Sequence, residues 1–154
     1  MKRLIYVCVI VLGLAITTAP VGADSDDRSV TAAASGLFAA GAELGPVALQ
    51  GLQIATGVFI EADGTASGTF HAVLRGSSLL SPQEITVEGN VTGGSVDADG
   101  RATFSGTASL DLGDGAPPLA NVAFSVTAGS DDVVLVIDSV TLTASVAPGA
   151  VTID

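Results

Sequence analysis

From residue 29 onward, apolar and polar residues exchange places every second position, the period that sends successive side chains to opposite faces of a pleated strand. In residues 101–111, Ala102, Phe104, Gly106, Ala108 and Leu110 share one parity, and Arg101, Thr103, Ser105, Thr107, Ser109 and Asp111 share the other. Residues 65–75 set Ala66, Gly68, Phe70, Ala72 and Leu74 against Thr65, Ser67, Thr69, His71, Val73 and Arg75. Residues 84–92 set Ile85, Val87, Gly89 and Val91 against Glu84, Thr86, Glu88, Asn90 and Thr92, and residues 121–128 group Val122, Phe124, Val126 and Ala128. Helical spacing is absent from these runs, and their Thr and Val content suits strands.

Three further runs are less regular. Residues 46–61 carry Leu52, Ile54, Val58 and Ile60 on one parity but contain Gly51 and Gly57, which predicts a long, bent strand with a bulge or glycine kink. Residues 133–146 are apolar on both parities as far as Ile137, break at Asp138-Ser139, and resume with Val140, Leu142, Ala144 and Val146, which predicts a tight turn or bulge at Asp138. Residues 29–38 read as an Ala-rich strand, preceded by a flexible tail over residues 24–28.

The punctuation between these runs is that of hairpins. Ala62-Asp63-Gly64, Ala98-Asp99-Gly100 and Gly129-Ser130-Asp131-Asp132 are turn signals, with Gly supplying the positive φ. The first two lie in a short repeat, Ile60-Glu61-Ala62-Asp63-Gly64-Thr65-Ala66 against Val96-Asp97-Ala98-Asp99-Gly100-Arg101-Ala102, which suggests duplicated hairpins. Residues 111–120, with two Gly and two Pro, form the longest loop. The predicted fold is all-β: one antiparallel sandwich or small closed barrel of about eight strands.

The stretch Asp63-Gly64 to Ser67-Gly68-Thr69-Phe70, then Ile85-Thr86-Val87-Glu88-Gly89-Asn90-Val91-Thr92, Ala102-Thr103-Phe104-Ser105-Gly106 and Asp111-Leu112-Gly113-Asp114-Gly115 resembles small secreted bacterial β-rich proteins. The resemblance covers about half the chain, rests on turn and strand patterns, and implies a fold class without an activity.

Residues 1–23 carry an address. Lys2 and Arg3 precede an uncharged apolar run over residues 4–16, and Ala19-Pro20-Val21-Gly22-Ala23 then offers small residues for signal peptidase. We expect a signal-peptide helix cleaved before Asp24, leaving residues 29–154 as the folded domain in the periplasm or outside the cell. The run is shorter than the roughly 20 residues of a bilayer-spanning helix. Cys8 lies inside it and lacks the small preceding residues of a lipoprotein site.

Composition then removes function classes. The chain has 154 residues, enough for one domain. It carries 16 acidic and 5 basic residues, and loss of Lys2 and Arg3 takes the formal charge from −11 to −13. Such a surface repels nucleic-acid phosphates. Beyond residue 23 there is no Lys, Cys, Met, Trp or Tyr, so disulfides, Cys-based zinc sites, sugar-stacking platforms and the aromatic girdles of outer-membrane barrels are all missing. No cofactor motif occurs.

Few residues are left to carry chemistry. His71, the single histidine, lies on a polar parity with Arg75 four residues on, and Arg101 stands on the second copy of the repeat; together they could meet an anionic ligand. Asp97 and Asp99 open a calcium-loop-like stretch that lacks a third Asp and a closing Glu, and Asp111 with Asp114 is a similar pair. Glu61, Glu84 and Glu88 could supply paired carboxylates, but no nucleophile elbow accompanies His71. Outward Thr and Ser, such as Thr103, Ser105 and Thr141, Thr143, form hydroxyl arrays. The expected function is a secreted, non-enzymatic domain with a structural or interaction role toward an unknown protein or small-molecule partner. The alternative is a barrel carrying an apolar or anionic molecule inside.

Overall fold

The computed structural model describes residues 27–79 and 81–154; the expected signal peptide, residues 1–23, lies outside the described residues. Every regular element in the described part is a strand: β1 (Arg28–Phe38), β2 (Glu43–Leu44), β3 (Val47–Ile60), β4 (Thr65–Ser77), β5 (Pro82–Val96), β6 (Ala102–Asp111), β7 (Leu119–Ala128), β8 (Asp132–Ile137), β9 (Val140–Val146) and β10 (Val151–Ile153).

Strands β3 to β9 pair antiparallel in chain order. β1 then pairs with β3 along one side, from Arg28↔Ile60 to Leu37↔Gly51, and along the other with β9 and β10. The sheet returns on itself, so the fold is a closed eight-stranded antiparallel barrel rather than a sandwich. The two short strands are additions: β2 extends the start of β3, and β10 continues the line of β9. A turn closed by the Ala150 N–H on the Ala147 carbonyl, 3.1 Å, separates β9 from β10. Gly149 there has φ 78°.

The predicted parities point as expected. Phe70, Ala72, Leu74, Ile85, Val87, Ala102, Phe104, Phe124 and Val126 are all buried inside, and no polar or charged residue is buried among the described residues. An eight-stranded barrel is just wide enough for its side chains to fill. Three of its four buried phenylalanines pack together. Phe70 stacks on Phe124 at 5.1 Å between ring centroids and meets Phe104 edge-on at 6.0 Å. Gly89 makes room for one of them: a Cβ there would sit 2.5 Å from Cε1 of Phe124.

The irregular runs resolve into named features. β3 has a register shift between Leu49 and Gly51. The Asp138-Ser139 break is a two-residue turn joining Ile137 to its partner Val140, with Asp138 at φ 54°. β5 runs past Thr92 to Val96 through a register shift between Val91 and Gly93. The first strand starts at Arg28, one residue earlier than its pattern suggests, and the neighbouring Asp27 carboxylate accepts the Ala62 N–H at 3.2 Å.

The repeat is structural. The Glu61 N–H donates to the Thr65 carbonyl and the Gly64 N–H to Glu61, both at 2.9 Å; the Asp97 N–H donates to Arg101 at 2.9 Å and the Gly100 N–H to Asp97 at 3.1 Å. Both turns lie at the end of the barrel where Ser29 and Asp154 exchange backbone hydrogen bonds.

Candidate functional site

Because the interior is apolar, the polar chemistry of the described chain lies on the outer wall and at the two ends. On the wall, register decides which residues meet. Ala33 faces Ala55, Ala55 faces His71, His71 faces Glu88, and Glu88 faces Ser109. These five residues make one row across β1, β3, β4, β5 and β6. Small side chains in that row leave low ground between taller neighbours. A depression of 320 Å³ lies over Ala33, Ala55 and Gln53 and ends at His71. A second, of 400 Å³, runs from His71 to Glu88, Asn90 and Ser109. A third, of 160 Å³, shares Glu88 and Ser109 and extends to Asp111 and Pro118. The first and third lie on one side of this row, toward Gln53, Thr86 and Asp111, and the second on the other, toward Thr69 and Asn90, so His71 and Glu88 stand between separate shallow depressions.

His71 Nδ1 lies 3.6 Å from Glu88 Oε1, with the side chains 46% and 69% exposed. That distance is too long for a hydrogen bond, and the side chains of Gln53, His71, Asn90 and Ser109 make none to another described residue. Glu88 stands between His71 and Ser109, so imidazole and hydroxyl are two strand spacings apart, about 10 Å. A general base must reach the proton it takes, so His71 does not activate the Ser109 hydroxyl.

The other candidate cations lie elsewhere. Arg75, on the same outer face of β4, donates from Nε to Glu84 Oε2 at 3.1 Å. Arg101 sits at the opening of β6, at the terminal end of the barrel, and clasps Asp132 with two parallel bonds of 2.9 Å. Those bonds hold the Asp132 carboxyl below its ordinary range and push the guanidinium of Arg101 up. The structure therefore does not gather His71, Arg75 and Arg101 around one ligand. Arg28 makes no ion pair among the described residues and borders two depressions at that end, of 270 and 350 Å³.

The aspartates of the turns are engaged by the backbone. Asp97 Oδ1 accepts the N–H groups of Asp99 at 3.0 Å and Arg101 at 2.9 Å. Asp111 and Asp114 accept from Gly113 and Ala116, each at 2.9 Å. Hydrogen bonds from Thr65, first its hydroxyl and then its N–H, lower the Asp63 carboxyl. Among the described residues no three His, Cys, Asp or Glu side chains come together as a metal-holding group.

The remaining wall, β6 to β9, presents hydroxyls and valines. Thr103, Thr127, Val134 and Thr143 form one cross-strand row, and Ser105, Ser125, Val136 and Thr141 form the next. Thr103 and Thr127 share a hydroxyl–hydroxyl bond of 3.1 Å. No described helix is long and apolar enough to cross a membrane. Sequence reasoning singled out His71 but missed Gln53, Asn90 and Ser109 as its neighbours. Their polar parity was visible, but their strand-to-strand register was not.

Comparison with protein-family models, with curated proteins and with solved structures finds no match to this chain.

Proposed function

We propose that this protein is a non-enzymatic binding module of the periplasm or cell exterior that engages its partner through the outer wall around His71. One contrast carries the reading. The barrel interior has no buried polar group to orient a ligand, whereas Gln53, His71, Asn90 and Ser109 line shallow depressions of the outer wall and make no side-chain hydrogen bond to another described residue. Specific small-molecule pockets combine apolar lining with a few placed polar groups, and here only the outside offers both. The address-like N-terminus favours action outside the cytoplasm.

Native mass spectrometry of the protein secreted from cells, with and without calcium, tests this reading. The expected result is a chain beginning at Asp24 that keeps no small apolar molecule and does not change mass with calcium. A retained apolar molecule would replace the reading with that of a carrier barrel. A stoichiometric calcium adduct lost on Asp97→Asn would make the hairpin end the functional site.

A further inference from the structure

We infer that the free edge of β10 takes an extended basic segment of another protein, added as a further strand at the terminal end of the barrel; the inference does not rest on the outer-wall reading.

The edge itself is the first argument. Ser29 and Asp154 exchange backbone bonds of 2.9 Å, and the Ala33 N–H donates to the Ala150 carbonyl at 3.4 Å. Residues 150, 152 and 154 therefore point their backbone groups at β1. In an antiparallel pair such residues alternate with ones that point the other way. The N–H and C=O of Val151 and Ile153 thus face away from β1, and among the described residues nothing bonds to them. β8 makes its last bond to this strand line at Val146, whose N–H donates to the Asp131 carbonyl at 2.9 Å. Beyond that point the sheet ends at β10. A free edge of this kind is a template for an added strand, and main-chain bonds supply the affinity of such contacts.

The ground beside the edge is the second. The 350 Å³ depression reaches from Ile153 and Asp154 to Val96 and Asp97 on the β5–β6 side. Val96 and Ile153 are partly buried and pack against the core. A strand laid along β10 sets alternate side chains over these two apolar residues and the others toward solvent.

Charge selects the occupant. Asp97 and Asp154 border the depression, and Asp99 and Asp131 stand on the neighbouring turns. Of the two arginines at this end, Arg101 is held by Asp132, which leaves Arg28 to offset the rest. An acidic strand makes the same backbone bonds but meets these carboxylates, whereas a basic strand pairs with them. A second copy of this chain would bring an equally acidic rim to the contact. The residues before Asp27, Asp24-Ser25-Asp26, would add two more acids. The partner is therefore a different polypeptide, with basic residues alternating with apolar ones.

Backbone amide exchange followed by NMR reads the edge directly. In the free protein the amides of Thr152 and Asp154 should exchange slowly and those of Val151 and Ile153 fast. A peptide alternating arginine with valine should slow Val151 and Ile153 several-fold. The same peptide with glutamate in place of arginine, and a backbone N-methylated version, should leave both rates unchanged. Ile153→Pro removes one outward N–H, a change that edge strands tolerate, and should abolish binding of the fluorescein-labelled basic peptide, read by anisotropy. Asp97→Asn with Asp154→Asn should weaken that binding several-fold, and Gln53→Ala with Asn90→Ala on the outer wall should leave it unchanged. Urea midpoints show that each variant folds; if Ile153→Pro does not, the Asp97 and Asp154 pair and the N-methylated peptide decide. Slow exchange at Val151 and Ile153 in the free protein, no binding of the basic peptide, or equal binding of the glutamate peptide overturns the inference. Binding lost in the Gln53 and Asn90 pair but kept in Ile153→Pro also overturns it, and moves the peptide to the wall around His71.

Discussion

Gly89 shows how closely single positions are used inside this barrel. It faces inward between Phe70 and Ala108 in register, and its missing Cβ is the space that the Phe124 ring occupies. Gly89→Ala should therefore act as overpacking and cost about 1–3 kcal/mol, read as a lower urea midpoint. The loss should shrink in a Phe124→Leu background, because residues in contact are not additive. Unchanged stability would mean that the rings do not sit over this glycine. At the surface, Asp138 holds φ 54° in a two-residue turn. A β-branched residue fits that conformation badly, so Asp138→Val should destabilise by roughly 1–2 kcal/mol and Asp138→Gly should not. The alternation made both positions visible in the chain, one as an apolar-face glycine and one as a break in a run of valines. What Gly89 makes room for was not visible, because Phe124 lies two strands away.

At the scale of elements, the hairpins were largely legible. Asp-Gly at 63–64 and 99–100 demanded turns with a left-handed glycine, and both turns form with matching backbone bonds. The Arg101–Asp132 clasp, which ties the β5–β6 hairpin to the start of β8, was not legible. It joins residues 31 apart, and neither the repeat that holds Arg101 nor the turn signal that holds Asp132 pairs the two. Its pH dependence has a definite sign. Asp132 is lowered in the folded chain, mainly by its hydrogen bonds to Arg101, from an ordinary value of 3.8. The contribution is therefore present above that value and lost as the pH falls through the lower folded one. Asp132→Asn should unfold at lower urea than the parent at pH 7, and the gap should close in acid below pH 4. A gap that persists there unchanged would show that the carboxylate charge is not what the clasp uses.

For the whole molecule, closure is the deciding event. β1 meets β3 through ten register pairs, but its other side is split between three pairs with β9 and three with β10. That seam is divided between two short pairings rather than carried by one strand. Removing residues 148–154 should strip Val30 and Ala32 of their β10 neighbours, lower the urea midpoint, and speed hydrogen exchange in residues 29–33 before the rest of the barrel. If exchange accelerates evenly, the seam is not a separate unit of stability. The eight main strands, their faces and the Asp-Gly turns between them were determined by the sequence alone, whereas the short β2 and β10 were not, because period-two alternation and Gly-containing turns are local properties of a few neighbouring residues. Whether the sheet closes, which cations are engaged, and which polar side chains line the depressions beside His71 were decided only in three dimensions. Each depends on pairings such as β1 with β3 and β9, or His71 with Glu88, whose register follows from twist and bulges accumulated over the whole sheet.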